Sequence, residues 1–308
     1  MSASFTLALA ASAEAASGQH YPQGTLYVVA TPIGNLADIS LRALHVLTLA
    51  DTVACEDTRH TQALLRAYGI DKASSQLMAV HQHNEAEAAQ AVVDHLRSGR
   101  RVAYVSDAGT PGISDPGARL VAAVQAQGLR SLPLPGASSV TTLLSVSGVA
   151  PDREQGQGFV FQGFLSSKAS ERERSVLSLA AETRAVVLLE APHRIEALLQ
   201  ALSVLGGRLV TVGRELTKQF EEIATMPAQQ LPGWLAQDAN RARGEFSLVI
   251  HPAPVEQATG PDTRVLLLLL EQLPLKTAVK LAADITGQSR NELYQLALSA
   301  KAQGSGET

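Results

Sequence analysis

Short apolar runs and amphipathic stretches alternate from Gly24 to about Pro135. The apolar runs predict strands over Thr25–Ala30, Thr52–Cys55, Leu77–Val80, Arg101–Ser106 and Arg130–Pro133. Helical periodicity falls between them, over Ser40–Ala50, Thr58–Tyr68, Ala86–Arg97, Ala118–Gln127 and Ala137–Ser147. Strict strand–helix alternation predicts a mostly parallel sheet covered on both faces. After Gly148–Asp152 the pattern changes. Strand-like runs at Gly158–Gln162, Ala185–Glu190, Leu209–Glu215, Phe220–Met226 and Glu245–His251 surround helical stretches at Ser170–Ala180, Arg194–Leu205 and Pro227–Trp234. Several of these strands can pair antiparallel, so a mixed second sheet is expected. Three short helices close the chain, over Arg264–Gln272, Pro274–Thr286 and Ser289–Ala302. The expected organisation is a flexible tail (1–23), an N-terminal α/β domain (24–136), a second α/β domain (137–252), a Pro/Gly-punctuated linker (253–263) and a small C-terminal helical segment (264–303).

Composition narrows the function classes. With 308 residues, 45% of them hydrophobic, the chain can fill two packed domains. A formal net charge of −4 excludes a general basic coat, so nucleic-acid binding would have to use a local patch. Cys55 is the one cysteine, which rules out an intrachain disulfide and fits a reducing cytoplasm. His81 and His83 lack companions for a metal site, and no metal is expected. No apolar run reaches the length of a membrane span, and the first twenty residues lack the positive start of a secretory signal.

Candidate chemistry gathers at strand ends. The stretch VAYVSDAGTPGISDPG, Val102–Gly117, takes a strand through Ser106–Asp107 into a Gly/Pro loop and then a helix. Such a loop presents backbone N–H groups to a ligand, and glycine lets the backbone come close. Asp107 suits a ribose hydroxyl or an ammonium group. Similar units occur at GTLYVVATPIGNLAD (Gly24–Asp38) and SLPLPGASS (Ser131–Ser139). They fit neither the dinucleotide fingerprint nor the P-loop. Glu56-Asp57-Thr58-Arg59 and His81-Gln82-His83-Asn84 follow two other strands. Helix capping by Asp57 and Asn84 explains part of each, and a substrate-facing rim explains the rest. Arg194, Arg214 and Lys218 either form a positive rim facing phosphate, or Arg214 pairs within the chain with Glu190, Glu215 or Glu222. No nucleophile elbow is present, and Cys55 reads as a packed thiol.

ATPIGNLADISLRAL, ACEDTRHTQALL, HQHNE, VSDAGTPGISDPG, PLPGASS, EAPHRI, VGRELTK and GEFSLVI occur in this order. Together they closely resemble the bacterial small-subunit ribosomal RNA methyltransferase I family, within the tetrapyrrole-methylase superfamily. The resemblance runs from about Gly24 to Ala302. It departs from the family pattern at Gly112–Ser114, Ala137-Ser138 and Ala191-Pro192, which leaves backbone roles intact. It implies a two-domain tetrapyrrole-methylase-like α/β fold and a homodimer. It also implies methyl transfer from S-adenosylmethionine to a cytidine ribose 2′-oxygen in the decoding region of small-subunit ribosomal RNA. The cofactor loops would fall on Pro32, Ile33 and Gly34; Asp107, Ala108, Gly109, Thr110 and Pro111; Ser138 and Ser139; Leu189, Arg214 and Phe246. Glu56, Asp57, Arg59, His81, Asn84 and Arg194 would line the substrate side. Lys218 or Glu190, then His193, are the candidates for handling the hydroxyl proton. Two alternatives stay open. One is a tetrapyrrole methyltransferase of the precorrin type. The other is a ribosome-assembly protein that binds the cofactor without methylating.

Overall fold

The computed structural model describes residues 5–81, 84–115, 117–149, 158–253 and 263–304. They divide into two compact units, residues 1–253 and 254–308. The first holds two five-stranded sheets.

The first sheet contains β1 (Thr25–Val29), β2 (Thr52–Cys55), β3 (Leu77–Ala79), β4 (Val102–Val105) and β5 (Arg130–Leu134), in the order β3-β2-β4-β1-β5. Every pairing in it is parallel. Strands β2 and β4 are buried at every position, as expected of a sheet covered on both faces. Two cores result. One packs Leu44, Leu47, Val53 and Val105 beneath α2 (Leu41–Leu49), and the other packs Leu26, Val92, Tyr104 and Leu120 beneath α4 (Glu85–Arg97) and α5 (Gly117–Ala126).

The start of the chain departs from the expected flexible tail. Thr6–Ala16 forms helix α1, with Ser12 and Ala16 buried. Phe5 meets Tyr68 edge-on at 4.9 Å, at the end of α3 (Thr58–Ala67). The alanine-rich sequence carries little amphipathic signal, and the helix is fixed by the surface it covers.

The second sheet contains β6 (Phe159–Gly163), β7 (Ala185–Glu190), β8 (Leu209–Arg214), β9 (Glu222–Pro227) and β10 (Phe246–Ile250), in the order β6-β7-β10-β8-β9. Only β6 and β7 pair parallel, so the sheet is mixed as expected. Its core sits under α7 (Ala169–Leu179), α8 (Ile195–Leu202) and α9 (Leu231–Ala236), where Val186, Leu188, Leu198, Leu202, Val212 and Leu248 are inaccessible. The helix expected from Pro227 begins later, at Leu231, because Pro227 closes β9 and Pro232 takes the first turn of α9.

Helix α6 (Ser139–Val146) leaves β5 and packs on the second sheet. Val140 and Leu143 join Val187, Leu216 and Val249 in a small core. A Cβ on Gly213 would overlap Leu143, so the helix lies directly on β8. The C-terminal unit has its own core, built by Leu266, Val279, Ala282, Leu293 and Ala297 from α10 (Thr263–Gln272), α11 (Leu275–Thr286) and α12 (Arg290–Gly304). The expected linker, apart from its two ends, falls outside the described residues. Among the described residues, no helix is long and apolar enough to cross a membrane.

Candidate active site

Parallel pairing sends the loops after β1, β2, β4 and β5 to one edge of the first sheet, where ligands bind in open α/β sheets. Hydrogen bonds stitch these loops together. Thr31 N donates to Gly109 O at 2.9 Å, and Gly109 N donates back to Thr31 O at 3.0 Å. Thr110 Oγ1 donates to Ala137 O at 3.0 Å, and Asp57 N donates to Asp107 Oδ1 at 3.3 Å. Gly109 has φ +83°, and a Cβ there would come to 3.2 Å from Ile33. Only glycine sits there without strain. Asp115 shapes the far side of the loop. Its carboxylate accepts from Gly112 N at 2.9 Å, Gly117 N at 2.8 Å and the Tyr104 hydroxyl at 3.2 Å.

The second sheet supplies the opposite wall. Phe246, at the start of β10, stands in register with Glu190 at the end of β7 and Arg214 at the end of β8. Between the walls lies a two-lobed cleft. One lobe, of about 220 Å³, gathers acidic and hydroxyl side chains, with Glu56, Ser106, Asp107, Thr110, Asp115 and Ser138 among its lining. The other, of about 350 Å³, is mostly apolar, with Phe164, Leu189, Ala191, Pro192, Leu216 and Phe246 among its lining. Ile33, Ala108, Ser114, Ser139 and Leu189 border both.

Electrostatics differ sharply across the cleft. Burial, then the nearby Asp115 and Asp107 carboxylates, push the Glu56 carboxyl up to about 7. Asp57 moves the other way. It caps α3 through Arg59 N at 2.8 Å and His60 N at 3.3 Å and pairs with the Arg59 guanidinium, which holds its carboxyl below the usual range. Lys218 lies across Gly34, where a Cβ would overlap its side chain. Its Nζ reaches Glu215 at 2.9 Å and Glu245 at 3.0 Å. Burial works against that charge, but the two carboxylates outweigh it and hold the ammonium above its ordinary value. The turn carrying this clamp is bent, with Glu215 at φ 51° and Thr217 at φ 68°.

Of the residues singled out from sequence, Ile33, Glu56, Asp107, Ala108, Gly109, Thr110, Ser138, Ser139, Leu189, Glu190 and Phe246 line the cleft. Pro32, Gly34 and Pro111 shape its loops without lining it. The positive rim of Arg194, Arg214 and Lys218 does not form. Arg194 Nε pairs with Glu190 at 3.0 Å, and its Nη2 donates to Leu165 O. Arg214 donates to Arg243 O at 2.8 Å and Phe220 O at 3.1 Å and lies 4.0 Å from Glu222. Guanidinium groups this buried are held by internal acceptors. Glu190 is 3% exposed, and its second oxygen has no partner. His193, Arg59 and His81 are exposed. Asn84 borders a separate groove between α4 and α5. Its side chain does not cap α4. It accepts from His81 N at 2.9 Å and donates to Ala79 O at 3.0 Å. Gln82 and His83 fall outside the described residues.

Sequence reasoning passed over Ile113, Ser114, Asp115, Val140, Phe164 and Leu216. Asp115 carried a usable signal, an aspartate in front of Pro-Gly at a helix start. Phe164 carried none beyond its glycine neighbour.

A family model described as Tetrapyrrole (Corrin/Porphyrin) Methylases matches residues 25–232, and one described as the RsmI C-terminal HTH domain matches residues 256–301. A cobalt precorrin-4 methyltransferase structure superposes with a TM-score of 0.55 at 16% identity, covering 75% of this chain and 98% of its own. A uroporphyrin-III-C-methyltransferase from Thermus thermophilus superposes at 0.52 with 20% identity, covering 74% and 94%. At these identities the likeness concerns the fold alone. The chain belongs to the tetrapyrrole methylase family. Its close relatives carry a more particular name. The Vibrio cholerae protein named Ribosomal RNA small subunit methyltransferase I is 46% identical over 89% of this chain and 94% of its own length. The Pseudomonas aeruginosa protein of the same name is 46% identical over 89% and 97%.

Proposed function

We propose that this protein transfers a methyl group from S-adenosylmethionine to the ribose 2′-oxygen of a cytidine in the decoding region of small-subunit ribosomal RNA. The observation that carries the reading is the two-lobed cleft between stitched loops, in a chain whose full-length relatives bear a ribosomal RNA methyltransferase name. The lobes, about 220 and 350 Å³, suit a nucleoside-sized ligand.

The residues present fit the cofactor. Leu189, Ala191, Leu216 and Phe246 offer an apolar slot for a purine. Backbone groups of Ala108–Thr110 and the Ser138 and Ser139 hydroxyls would hold its polar end, and Glu56, Asp107 and Asp115 favour its positive charge. When bound, it supplies an activated methyl group. The chain's own task is then mainly positioning, because an in-line displacement gains most from alignment. Asp115 and Gly109 fix the loop that faces the reacting end. The Lys218–Glu215–Glu245 clamp fixes the turn opposite. Kept charged by its partners, Lys218 serves as a fixed cation, and Arg194 braces the Glu190 end of β7.

The substrate is ribosomal RNA or the assembled small subunit, and the protein works as a homodimer in the cytoplasm. Tritium transfer from labelled S-adenosylmethionine tests the reading, with small subunits from a strain lacking the enzyme and naked ribosomal RNA in parallel. Label confined to one cytidine ribose is the expected result. Cofactor binding without RNA label, or label on a precorrin instead, would overturn it.

A further inference from the structure

The cleft holds three carboxylates, and they are not equivalent. Asp115 is saturated by two backbone amides and the Tyr104 hydroxyl. Asp107 accepts from the backbone of Asp57. Glu56 lines the same lobe, half-buried, at the end of β2. None of the hydrogen bonds or ion pairs among the described residues involves its carboxylate. The titratable groups facing it come from β4 and its loop (Tyr104, Asp107 and Asp115) and from its neighbour Cys55. From the opposite side the lobe presents Ser138, Ser139, Val140 and Leu189, with no charge among them.

The other residues able to take a proton are engaged or turned away. Lys218 is held charged between Glu215 and Glu245. Glu190 is ion-paired with Arg194 through one oxygen, which also accepts from Ala191 N at 2.9 Å, while its other oxygen is buried without a partner. His193 does not line the cleft, and Cys55 is buried in the sheet with its thiol pushed up to about 11, chiefly by burial.

Resting on the methyltransfer reading above, we infer that Glu56 is the catalytic residue that accepts the proton of the ribose hydroxyl. The oxygen gains the methyl carbon as the donor's carbon–sulfur bond breaks. The electron pair of that bond stays on sulfur, and the hydroxyl proton moves to a Glu56 carboxylate oxygen. The surrounding carboxylates disfavour a second negative charge, so Glu56 takes up a proton readily near neutral pH. The same field steadies the positive donor before transfer.

The test compares wild type, E56Q and E56D. Three readouts are needed: affinity for S-adenosylhomocysteine by calorimetry, single-turnover methylation of small subunits from a strain lacking the enzyme across pH 5.5–9, and the pH dependence of thermal unfolding. Loss of a positioned base costs about 100-fold or more in rate. E56Q should show that loss with unchanged affinity. The wild-type rate should rise with pH to a plateau, and that limb should vanish in E56Q. E56D should keep the limb at a lower rate. An E56Q rate close to wild type, a surviving limb, or a loss explained by weakened cofactor binding would each overturn the role while leaving the methyltransfer reading in place. Wild-type protein that labels no RNA would overturn both.

Discussion

At the scale of single residues, charge placement makes Glu56 a liability for folding. Its carboxyl moves from an ordinary 4.5 to about 7 in the folded chain. Below 4.5 both folded and unfolded states hold the proton. As pH rises from 4.5 to 7 the unfolded chain releases it first, so stability falls. E56Q removes the penalty. Its melting temperature should match wild type at pH 4 and exceed it at pH 8, checked by calorimetry across that range. Backbone strain gives a second prediction. Thr217 is β-branched, has φ 68°, and buries an unpartnered hydroxyl oxygen. T217G should stabilise the protein by roughly 1 kcal/mol in urea titrations, since the left-handed conformation costs glycine nothing. Gly244 is the converse case. It has φ +89°, and a Cβ there would overlap Glu215. G244A should displace the Glu215–Lys218 pair and weaken S-adenosylhomocysteine binding, measured by calorimetry.

Among the elements, α6 couples the two walls of the cleft. Ser138 and Ser139 lead into it from the first sheet, while Leu143 is buried against the second. L143A leaves a cavity at that junction and should cost about 2–5 kcal/mol in a urea titration. Because the same helix sets the Ser138–Ser139 corner, the variant should also bind S-adenosylhomocysteine more weakly. A surface substitution such as S145A, on an exposed position of α6, should leave both unchanged.

For the whole molecule, the two units have separate cores. The first ends in bonds of its own: His251 N donates to Leu209 O at 2.9 Å and Ala253 N to Glu182 O at 3.0 Å. A chain stopped after Ala253 should therefore keep its thermal transition and its cofactor affinity, which fluorescence melting and calorimetry would show. RNA contact should follow the solvated cations, because the internal ones are spent. Arg59, with a side chain 92% exposed and only a solvent-screened pairing with Asp57, is the candidate beside the cleft. R59A should lower the salt slope of RNA binding by about 0.7–0.9, the contribution of one phosphate contact. R194A should leave that slope unchanged, because this guanidinium already serves Glu190 and Leu165.

Periodicity by itself determined the strand–helix alternation, the parallel first sheet, the mixed second sheet and the three closing helices. Each of these follows from which face of a segment must leave water. Gly and Pro at strand ends likewise marked the loops at Ile33–Gly34, Asp107–Pro111 and Ser138–Ser139, because such turns need those residues locally. Distant pairing was beyond its reach. Arg194–Glu190 and Lys218–Glu215 are local pairs, but Glu245 joins Lys218 only when β8 and β10 align, so the closed clamp was not legible in the sequence. Glu56 looked like one rim residue among several. Only the tertiary structure brought it, unpartnered, beside Asp107 and Asp115, because the field at a carboxyl is set by what lies around it in space.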